Sequence, residues 1–197
     1  MRMKNTDARP GCVVMAAGNA RRFGDNKLAA ELAGRSLILR ALEAVPPEAF
    51  SQVVVVTQYP EIADLVKDFP FSLIRNPHPD WGISHTIRLG LQELLDRSAV
   101  CFQVSDQPLL RRETVAALVR FWQDHPEHIA ALGHGGVRGN PCIFPRRFYP
   151  ELLALTEDRG GSTVIRAHED SLLLYEAEAE ELTDVDTPRA MEELRKQ

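Results

Sequence analysis

The stretch that decides the fold is Gln-Val-Val-Val-Val-Thr, QVVVVT, at residues 52–57. Its apolar residues are consecutive rather than alternating, and a strand with this pattern is covered on both faces of its sheet. A second run without alternation, AVCFQV at 99–104, lies further along the chain. Strands that are buried on both faces belong to parallel sheets with helices packed on either side. The two stretches therefore predict an α/β protein.

Segments of strand length and helix length alternate around these two runs. The strand-length segments are rich in β-branched residues, and the helix-length segments place apolar residues three and four positions apart. This alternation predicts a largely parallel sheet in a three-layer α/β/α arrangement. We predict strands at 12–17, 52–57, 72–74, 99–104, 129–132, 142–144 and 172–175, and helices at 36–45, 61–69, 84–95, 112–122 and 186–196.

The glycine-rich stretch GHGGVRGNP at 133–141 interrupts the alternation. It is typical of a loop or hairpin that leads into a short strand. A loop that lines a substrate site is the alternative.

Length, composition and charge limit the possible functions. The chain has 197 residues, 44% of them hydrophobic and 26% charged, which suits a single globular domain at 11–197 after a flexible N-terminal tail at 1–10. A net charge of −5 argues against a nucleic-acid binder, which needs a clustered basic face. The sequence has no run of about 18 apolar residues and no signal-peptide core, so we expect a cytoplasmic protein without membrane contact. A monomer is the default expectation.

Three cysteines, Cys12, Cys101 and Cys142, are widely spaced along the chain. They form neither a CxxC pair nor the cysteine and histidine spacing of a zinc site. Cys12 and Cys101 lie in apolar runs, so we expect them to be buried, reduced thiols.

A glycine turn with several cations follows the first predicted strand, in VVMAAGNARRFGDNKL at 13–28. Gly18 permits the turn, and Arg22 and Lys27 can neutralise phosphate charge. A Walker A loop is excluded because two residues separate Gly24 from Lys27, and a dinucleotide fingerprint is excluded because it needs three glycines spaced as GxGxxG. The remaining interpretations are another kind of phosphate loop or a solvated basic turn.

Three carboxylates occur where they could face this loop. Asp106 directly follows a predicted buried strand in FQVSDQPLL at 102–110, although an aspartate there is also typical of a helix cap. Asp184 and Asp186 alternate and would point the same way in an extended chain. Mg²⁺ binds one or two protein carboxylates together with phosphate oxygens, so the combination predicts a nucleoside triphosphate held with Mg²⁺.

These motifs carry a resemblance to a known family. MAAGNARRFGDNK at 15–27 closely resembles AAGxSxRxGxxK, the signature of nucleotidyltransferases that include the molybdenum cofactor cytidylyltransferases and guanylyltransferases and the sugar-nucleotide pyrophosphorylases. Ala20 departs from it, where relatives often have serine. Four further stretches resemble motifs of the molybdenum cofactor cytidylyltransferase group, NPxxxxGMSSSLRAGL, (G/A)DQPL, RGxPxxF and DIDTP: NPHPDWGISHTIRLGL (76–91), SDQPLL (105–110), VRGNPCIF (137–144) and DVDTP (184–188).

The resemblance implies a Rossmann-like nucleotidyltransferase fold, with a mostly parallel sheet that includes an antiparallel strand. It also implies transfer of a CMP moiety from CTP to molybdopterin, with release of pyrophosphate and with Mg²⁺ or Mn²⁺ as cofactor. Ala17 favours CTP, because guanylyltransferases of the family tend to have AGG where this chain has AAG. Transient contact with a molybdenum hydroxylase is the implied partner interaction.

The resemblance also assigns roles to individual residues. Catalysis is assigned to Arg22, Lys27 and Asp106; nucleotide binding to Ala16, Ala17, Gly18, Arg22, Lys27, Asn76, Gly82, Ser84 and Thr86; acceptor binding to Arg138, Asn140 and Asp158; and metal binding to Asp106 and Asp186 with Asp184 as a helper. Ser84 and Thr86 are equally typical of helix N-caps. Trp81 lines the acceptor pocket or only covers its loop, and His85 is expected to be non-catalytic.

One stretch departs from the family pattern. Where many relatives have GDxGxR, this chain has TEDRGGSTVI at 156–165, with Glu157 in place of glycine and Ser162 in place of a cation. The departure keeps two other hypotheses open: a nucleotidyltransferase that uses GTP or another phosphorylated acceptor, and a non-catalytic chaperone for the molybdenum cofactor.

Overall fold

The computed structural model describes residues 9–18 and 26–196. The strands among these residues are β1 (Gly11–Ala16), β2 (Glu31–Leu32), β3 (Arg35–Ser36), β4 (Gln52–Thr57), β5 (Ser72–Arg75), β6 (Ala99–Val104), β7 (Ile129–His134), β8 (Val137–Pro145) and β9 (Leu172–Glu176). The α-helices are α1 (Leu37–Glu43), α2 (Pro60–Val66), α3 (Ile83–Gln92), α4 (Arg112–Asp124), α5 (Tyr149–Leu153), α6 (Gly161–Ala167) and α7 (Pro188–Leu194).

Seven of the strands form one sheet in the order β5-β4-β1-β6-β8-β7-β9. β8 runs antiparallel to both of its neighbours, and the other neighbouring strands are parallel. The chain passes from β1 to one side of the sheet and returns to the other side of β1 at β6. In an open α/β sheet, this change of direction creates a ligand crevice at the carboxyl ends of the strands.

Helices cover both faces of the sheet. Val14 of β1 packs in the core cluster that includes residues of α1, α2 and α4. Its neighbour Val13 points to the opposite face, in a cluster with residues of α3, α5 and α6. A side chain at Gly90 of α3 would begin 2.5 Å from a methyl of Val13, so glycine permits this close contact. The three-layer fold with an antiparallel strand is therefore confirmed.

The hairpin predicted at 133–141 as an alternative to a loop is confirmed, and the start of its second strand is the main correction to the predicted strands. Gly135 and Gly136 form the turn with φ of +56° and +81°, and strand pairing resumes at Val137 rather than at residue 142. The pairing of β7 with β8 is irregular between Ala131 and Gly133, which accommodates a stretch that contains Pro141. Glycine and proline made this half of the strand resemble a loop.

The remaining differences are short elements. The sequence did not predict α5, α6 or the small hairpin of β2 and β3, because elements of five, seven and two residues carry little periodic signal.

Three further predictions concern the membrane, the cysteines and the tail. Within residues 9–18 and 26–196, no helix is long and apolar enough to cross a membrane. Cys12, Cys101 and Cys142 are buried and form no disulfide. The boundary between the predicted tail (1–10) and the domain stays a prediction. At the end of that tail, the carbonyl of Pro10 accepts a hydrogen bond from the Ser51 amide at 2.9 Å.

Candidate active site

A cleft of about 400 Å³ opens at the carboxyl ends of β1 and β6. β1 ends at Ala16, which was predicted as a site residue, and β6 ends two residues before Asp106. The predicted site residues that line the cleft are Ala17, Gly18, Lys27, Gly82, Thr86, Asp106 and Asp158. Residues that are distant in the sequence therefore meet in one cavity.

Lys27 and Asp106 line one side of the cleft, and Asp184 and Asp186 lie next to them. These four residues form a charged wall. The Lys27 ammonium donates hydrogen bonds to Asp106 Oδ2 at 2.9 Å and to Asp186 Oδ1 at 3.2 Å. Burial opposes the charge on Lys27, but attraction to the two carboxylates and the hydrogen bonds donated to them outweigh burial and raise its pKa above the ordinary lysine value. Lys27 therefore remains charged and keeps the carboxylates of Asp106 and Asp186 close to each other.

Asp184 lies beside this ion pair without a hydrogen bond from Lys27. Burial of its carboxylate, followed by repulsion from Asp106 and Asp186, raises the pKa of Asp184, and a hydrogen bond from Gln107 opposes the rise. The charged wall thus carries more negative charge than one lysine neutralises.

The charged wall has the composition of a partial Mg²⁺ site. Asp106 and Asp186 supply the one or two carboxylates that Mg²⁺ takes from a protein when phosphate oxygens and waters supply the rest. Among the described residues, no group of three or more histidine, cysteine, aspartate or glutamate side chains could hold a metal ion by itself. The residues therefore fit a metal ion that arrives with phosphate ligands, rather than a closed structural site.

Hydrogen bonds fix the charged wall to the scaffold. The Val185 amide donates to the carbonyl of Asp106 at 2.8 Å, so the segment that carries Asp184 and Asp186 lies along the loop after β6. Asp106 is not the N-cap of α4, because that position is Arg111. The alternative interpretation of Asp106 as a cap for this helix is therefore wrong.

Glu181 is a supporting residue that sequence reasoning missed. Its buried carboxylate accepts hydrogen bonds from the Arg111 amide at 3.0 Å and from the Arg111 guanidinium at 2.6 Å. Burial raises the pKa of Glu181, but hydrogen bonds from Arg111 and Thr114 outweigh burial and hold it below the ordinary range. Glu181 thus joins the start of α4 to the segment before Asp184, and nothing in EAEAEEL (176–182) distinguished it.

The turn after β1 is fixed by three consecutive side chains at the end of β4, beginning with its last residue. Thr57 Oγ1, Gln58 Nε2 and Tyr59 OH donate to the carbonyls of residues 16, 17 and 18 at 2.9, 3.0 and 3.0 Å. Sequence reasoning missed these three residues as well. Their position at the end of the neighbouring strand was the available signal, because adjacent parallel strands end at the same edge.

The other side of the cleft is a loop wall, formed by residues 76–86 and 156–158. Asn76 is buried, and its side-chain amide donates to Thr86 Oγ1 at 3.2 Å. Thr86 lines the cleft, and Asn76 supports it from behind. Gly82 occupies the N-cap position of α3 with no side-chain cap, so the alternative that Ser84 or Thr86 caps this helix is wrong.

Main-chain contacts hold the two parts of the loop wall together. The Ser84 amide donates to the carbonyl of Glu157 at 3.1 Å. Gly82 has φ of +84°, and a Cβ there would lie 2.4 Å from the main chain of Glu157. Glu157, which replaces a glycine of the family pattern, has φ of +55° and so retains a glycine-like backbone.

The two predicted acceptor residues of β8 lie outside the lining of the cleft. Arg138 and Asn140 are on β8, where they contact Cys142, and neither is among the residues that line the cleft. Arg22 lies outside the described residues. The roles assigned to individual residues therefore stay predictions.

Comparison with known proteins identifies the family. Residues 12–172 match the family model of the MobA-like NTP transferase domain. Purine catabolism protein PucB of Bacillus subtilis (strain 168) is 25% identical to this chain over an alignment of 197 residues. The alignment covers 93% of this chain and 95% of that protein.

Two solved structures share the fold. Rv0371c from Mycobacterium tuberculosis H37Rv superposes with a TM-score of 0.78 at 18% identity, over 97% of this chain and 100% of that one, and it has also been solved in complex with manganese. Molybdopterin-guanine dinucleotide biosynthesis protein A from Archaeoglobus fulgidus superposes with a TM-score of 0.69 at 18% identity, over 94% of this chain and 97% of that one. The family match covers most of the chain and confirms the predicted nucleotidyltransferase. The chain therefore belongs to the family of MobA-like NTP transferase domains.

Proposed function

We propose that this nucleotidyltransferase transfers CMP from CTP to a phosphorylated acceptor, molybdopterin, with Mg²⁺ as its cofactor. The observation that carries the proposal is the contact of the Lys27 ammonium with Asp106 and Asp186 at the carboxyl ends of the central strands. One cation together with two carboxylates in one cleft suits a triphosphate that binds with a divalent ion.

In the proposed reaction, a terminal phosphate oxygen of the acceptor attacks the α-phosphorus of CTP. The bond from the α-phosphorus to the bridging oxygen breaks, and its electron pair leaves with pyrophosphate. Positioning of the reactants and neutralisation of their charge account for most of the rate enhancement in such a reaction, and no covalent enzyme intermediate is needed. Mg²⁺, when bound by Asp106 and Asp186, neutralises phosphate charge.

The residues of the chain then have separate tasks. Lys27 leaves its two carboxylate partners and donates to phosphate oxygens, where negative charge grows. Arg22 binds the triphosphate, and the turn at Ala17 and Gly18 approaches the nucleotide through its main chain. The loop wall contacts the base and ribose, with Thr86 held in place by Asn76.

Several observations support the finer choices. Ala17 favours CTP, as in the AAG loop of cytidylyltransferases. The manganese complex of Rv0371c supports a divalent cofactor, with Mg²⁺ preferred and Mn²⁺ as a substitute. The name of PucB, a purine catabolism protein, is consistent with a metabolic enzyme as the protein that receives the product. Our candidate for this receiving enzyme is a molybdenum hydroxylase in the cytoplasm.

A second candidate is a guanylyltransferase or an enzyme with a different phosphorylated acceptor. Ser162 stands where relatives often have a cation, and the Archaeoglobus fulgidus neighbour is named for a guanine dinucleotide. The hypothesis of a non-catalytic chaperone is not retained, because the chain is a nucleotidyltransferase.

A panel of nucleotides tests the proposal. The protein is incubated with molybdopterin, Mg²⁺ and each of CTP, GTP, ATP and UTP, and pyrophosphate release is measured together with the mass of the product. We expect release with CTP and a cytosine dinucleotide product. Release with GTP alone would replace the first candidate with the second.

A further inference from the structure

A second cavity of about 420 Å³ adjoins the active-site cleft. Asp80, Gly82 and Asp158 line both cavities, so a ligand can extend from one into the other. The second cavity is also lined by Trp81 and His85, which have no individual role in the proposed reaction.

Trp81 presents an unusual aromatic surface at this cavity. It is 53% exposed, although a large aromatic side chain in a loop is normally covered. Its indole stacks on the imidazole of His78, with ring centroids 4.1 Å apart and planes inclined by 10°. The stack holds the indole in one orientation, so it offers a fixed flat surface to a ligand ring.

His85 lies beneath this aromatic surface as an unpaired polar group. It is 8% exposed, and neither ring nitrogen has a hydrogen-bond partner among the described residues. Burial, together with Arg88 and His78, lowers the pKa of His85, so the ring is neutral at pH 7 and carries one donor and one acceptor. Buried polar groups are nearly always paired, so an unpaired imidazole in the wall of a cavity points to a ligand that pairs with it once the ring turns its buried nitrogens toward the cavity.

The charges around the cavity distinguish between classes of ligand. Arg88 contributes a guanidinium that is already hydrogen bonded to the Leu155 carbonyl at 2.9 Å. The carboxylates of Asp80 and Asp158 line both cavities, but the cleft also contains Lys27, whereas Arg88 is the one lysine or arginine among the described residues that line the second cavity, so a phosphate group is less well neutralised there. Mixed charges, a flat indole and a neutral imidazole instead suit an uncharged ring with donors and acceptors on its edge.

We propose that the second cavity binds the heteroaromatic ring of the acceptor, stacked on Trp81 and hydrogen bonded to His85. The inference rests on the proposed function, because the acceptor must reach the α-phosphorus from a place that adjoins the nucleotide. Molybdopterin has a ring of this class, and its phosphate would extend past Gly82 and Asp158 into the cleft. The related segment NPxxxxGMSSSLRAGL has serine at the position of His85 and no fixed residue at the position of Trp81, so this subsite is particular to the chain.

Pterin binding tests the inference directly. The affinity of 6-hydroxymethylpterin is measured by calorimetry for the unmodified protein and for Trp81→Ala, Trp81→Phe and His85→Ser. We expect Trp81→Ala to weaken binding by about tenfold or more, as loss of an aromatic stacking partner does for nucleobases. Trp81→Phe should retain most of the affinity, and His85→Ser should lose part of it. Trp122→Phe changes the other tryptophan, buried in the core away from the cavity, and should leave the affinity unchanged.

Other results would overturn the inference. Undetectable pterin binding to the unmodified protein, or equal affinity in Trp81→Ala, would remove the subsite. Weaker binding of CTP with Mg²⁺ in Trp81→Ala, with pterin affinity unchanged, would assign the second cavity to the nucleotide. Pyrophosphate release from CTP and molybdopterin is measured separately, so that absence of release defeats the proposed function and unchanged pterin affinity defeats only the subsite.

Discussion

The charged wall and the loop wall face each other across one cleft, but different forces hold them. The charged wall depends on hydrogen-bonded ion pairs between side chains, in which Lys27 contacts Asp106 and Asp186. The loop wall depends on main-chain contacts and tight packing, such as the approach of Gly82 to Glu157. Ion pairs can exchange partners when a metal ion or a phosphate arrives, whereas a packed main chain cannot.

This difference predicts different consequences for mutations. Changes to one carboxylate of the charged wall should reduce activity with little effect on folding, because Lys27 keeps its second carboxylate partner. Side chains added in the loop wall should reduce stability, because they force apart two segments of main chain.

Asp106→Asn should lower kcat by about 100- to 1000-fold, as removal of one preorganised electrostatic group at a reacting centre does. The unfolding free energy should change little, because Asp186 still pairs with Lys27. Pyrophosphate release and urea denaturation provide the two measurements. Asp124→Asn at an exposed position of α4 is the matched control and should be neutral in both. Turnover of Asp106→Asn within a few-fold of the parent would exclude Asp106 from the reaction.

Gly82→Ala should lower the unfolding free energy by about 3 kcal/mol, from left-handed backbone strain together with a clash against main chain. Gly136→Ala is the matched control, because Gly136 has nearly the same φ, +81° against +84°, and nothing within 4 Å of its Cβ position. The control should therefore lose only the strain, about 1 kcal/mol. Equal losses in urea denaturation would show that the contact with Glu157 does not constrain the loop wall.

Glu181→Gln should lower the unfolding free energy by about 2 kcal/mol at pH 7, because it weakens charge-assisted hydrogen bonds to a buried carboxylate. The pKa of Glu181 is lowered in the folded protein, so its stabilisation is present above the pKa of an unfolded glutamate. The stabilisation is lost as the pH falls through the folded pKa. The difference between parent and variant should therefore shrink in acid, and a difference that stays constant from neutral pH into acid would contradict this assignment.

Glu157→Gly should raise the unfolding free energy by about 0.5 to 1 kcal/mol, because glycine adopts the φ of +55° without strain. Ala33→Gly is the control outside the site, since Ala33 has φ of +51° and should gain a similar amount. Thermal denaturation of both variants measures the effect. Destabilisation of Glu157→Gly alone would mean that the glutamate side chain makes a favourable contact that outweighs the strain.

The sequence predicted the fold and the charged wall for related reasons. Consecutive apolar residues predicted the central strands. Lys27 and Asp106 each come after the end of such a strand, and ligands of an open parallel sheet bind at the carboxyl ends of its strands. Supporting residues were not predictable in the same way. Glu181 contacts Arg111 across 70 positions of the chain, and no local pattern encodes such a contact. The early part of β8 was missed because glycine and proline are typical of turns, whereas here an irregular pairing accommodates them.

A crystal structure with Mn²⁺ and a non-hydrolysable CTP analogue tests the central claim most directly, because manganese is located by its anomalous scattering. The account predicts manganese bonded to carboxylate oxygens of Asp106 and Asp186, with the Lys27 ammonium moved from those carboxylates to a phosphate oxygen. Manganese elsewhere on the protein, or Lys27 still between the two carboxylates while the nucleotide binds at another place, would contradict it.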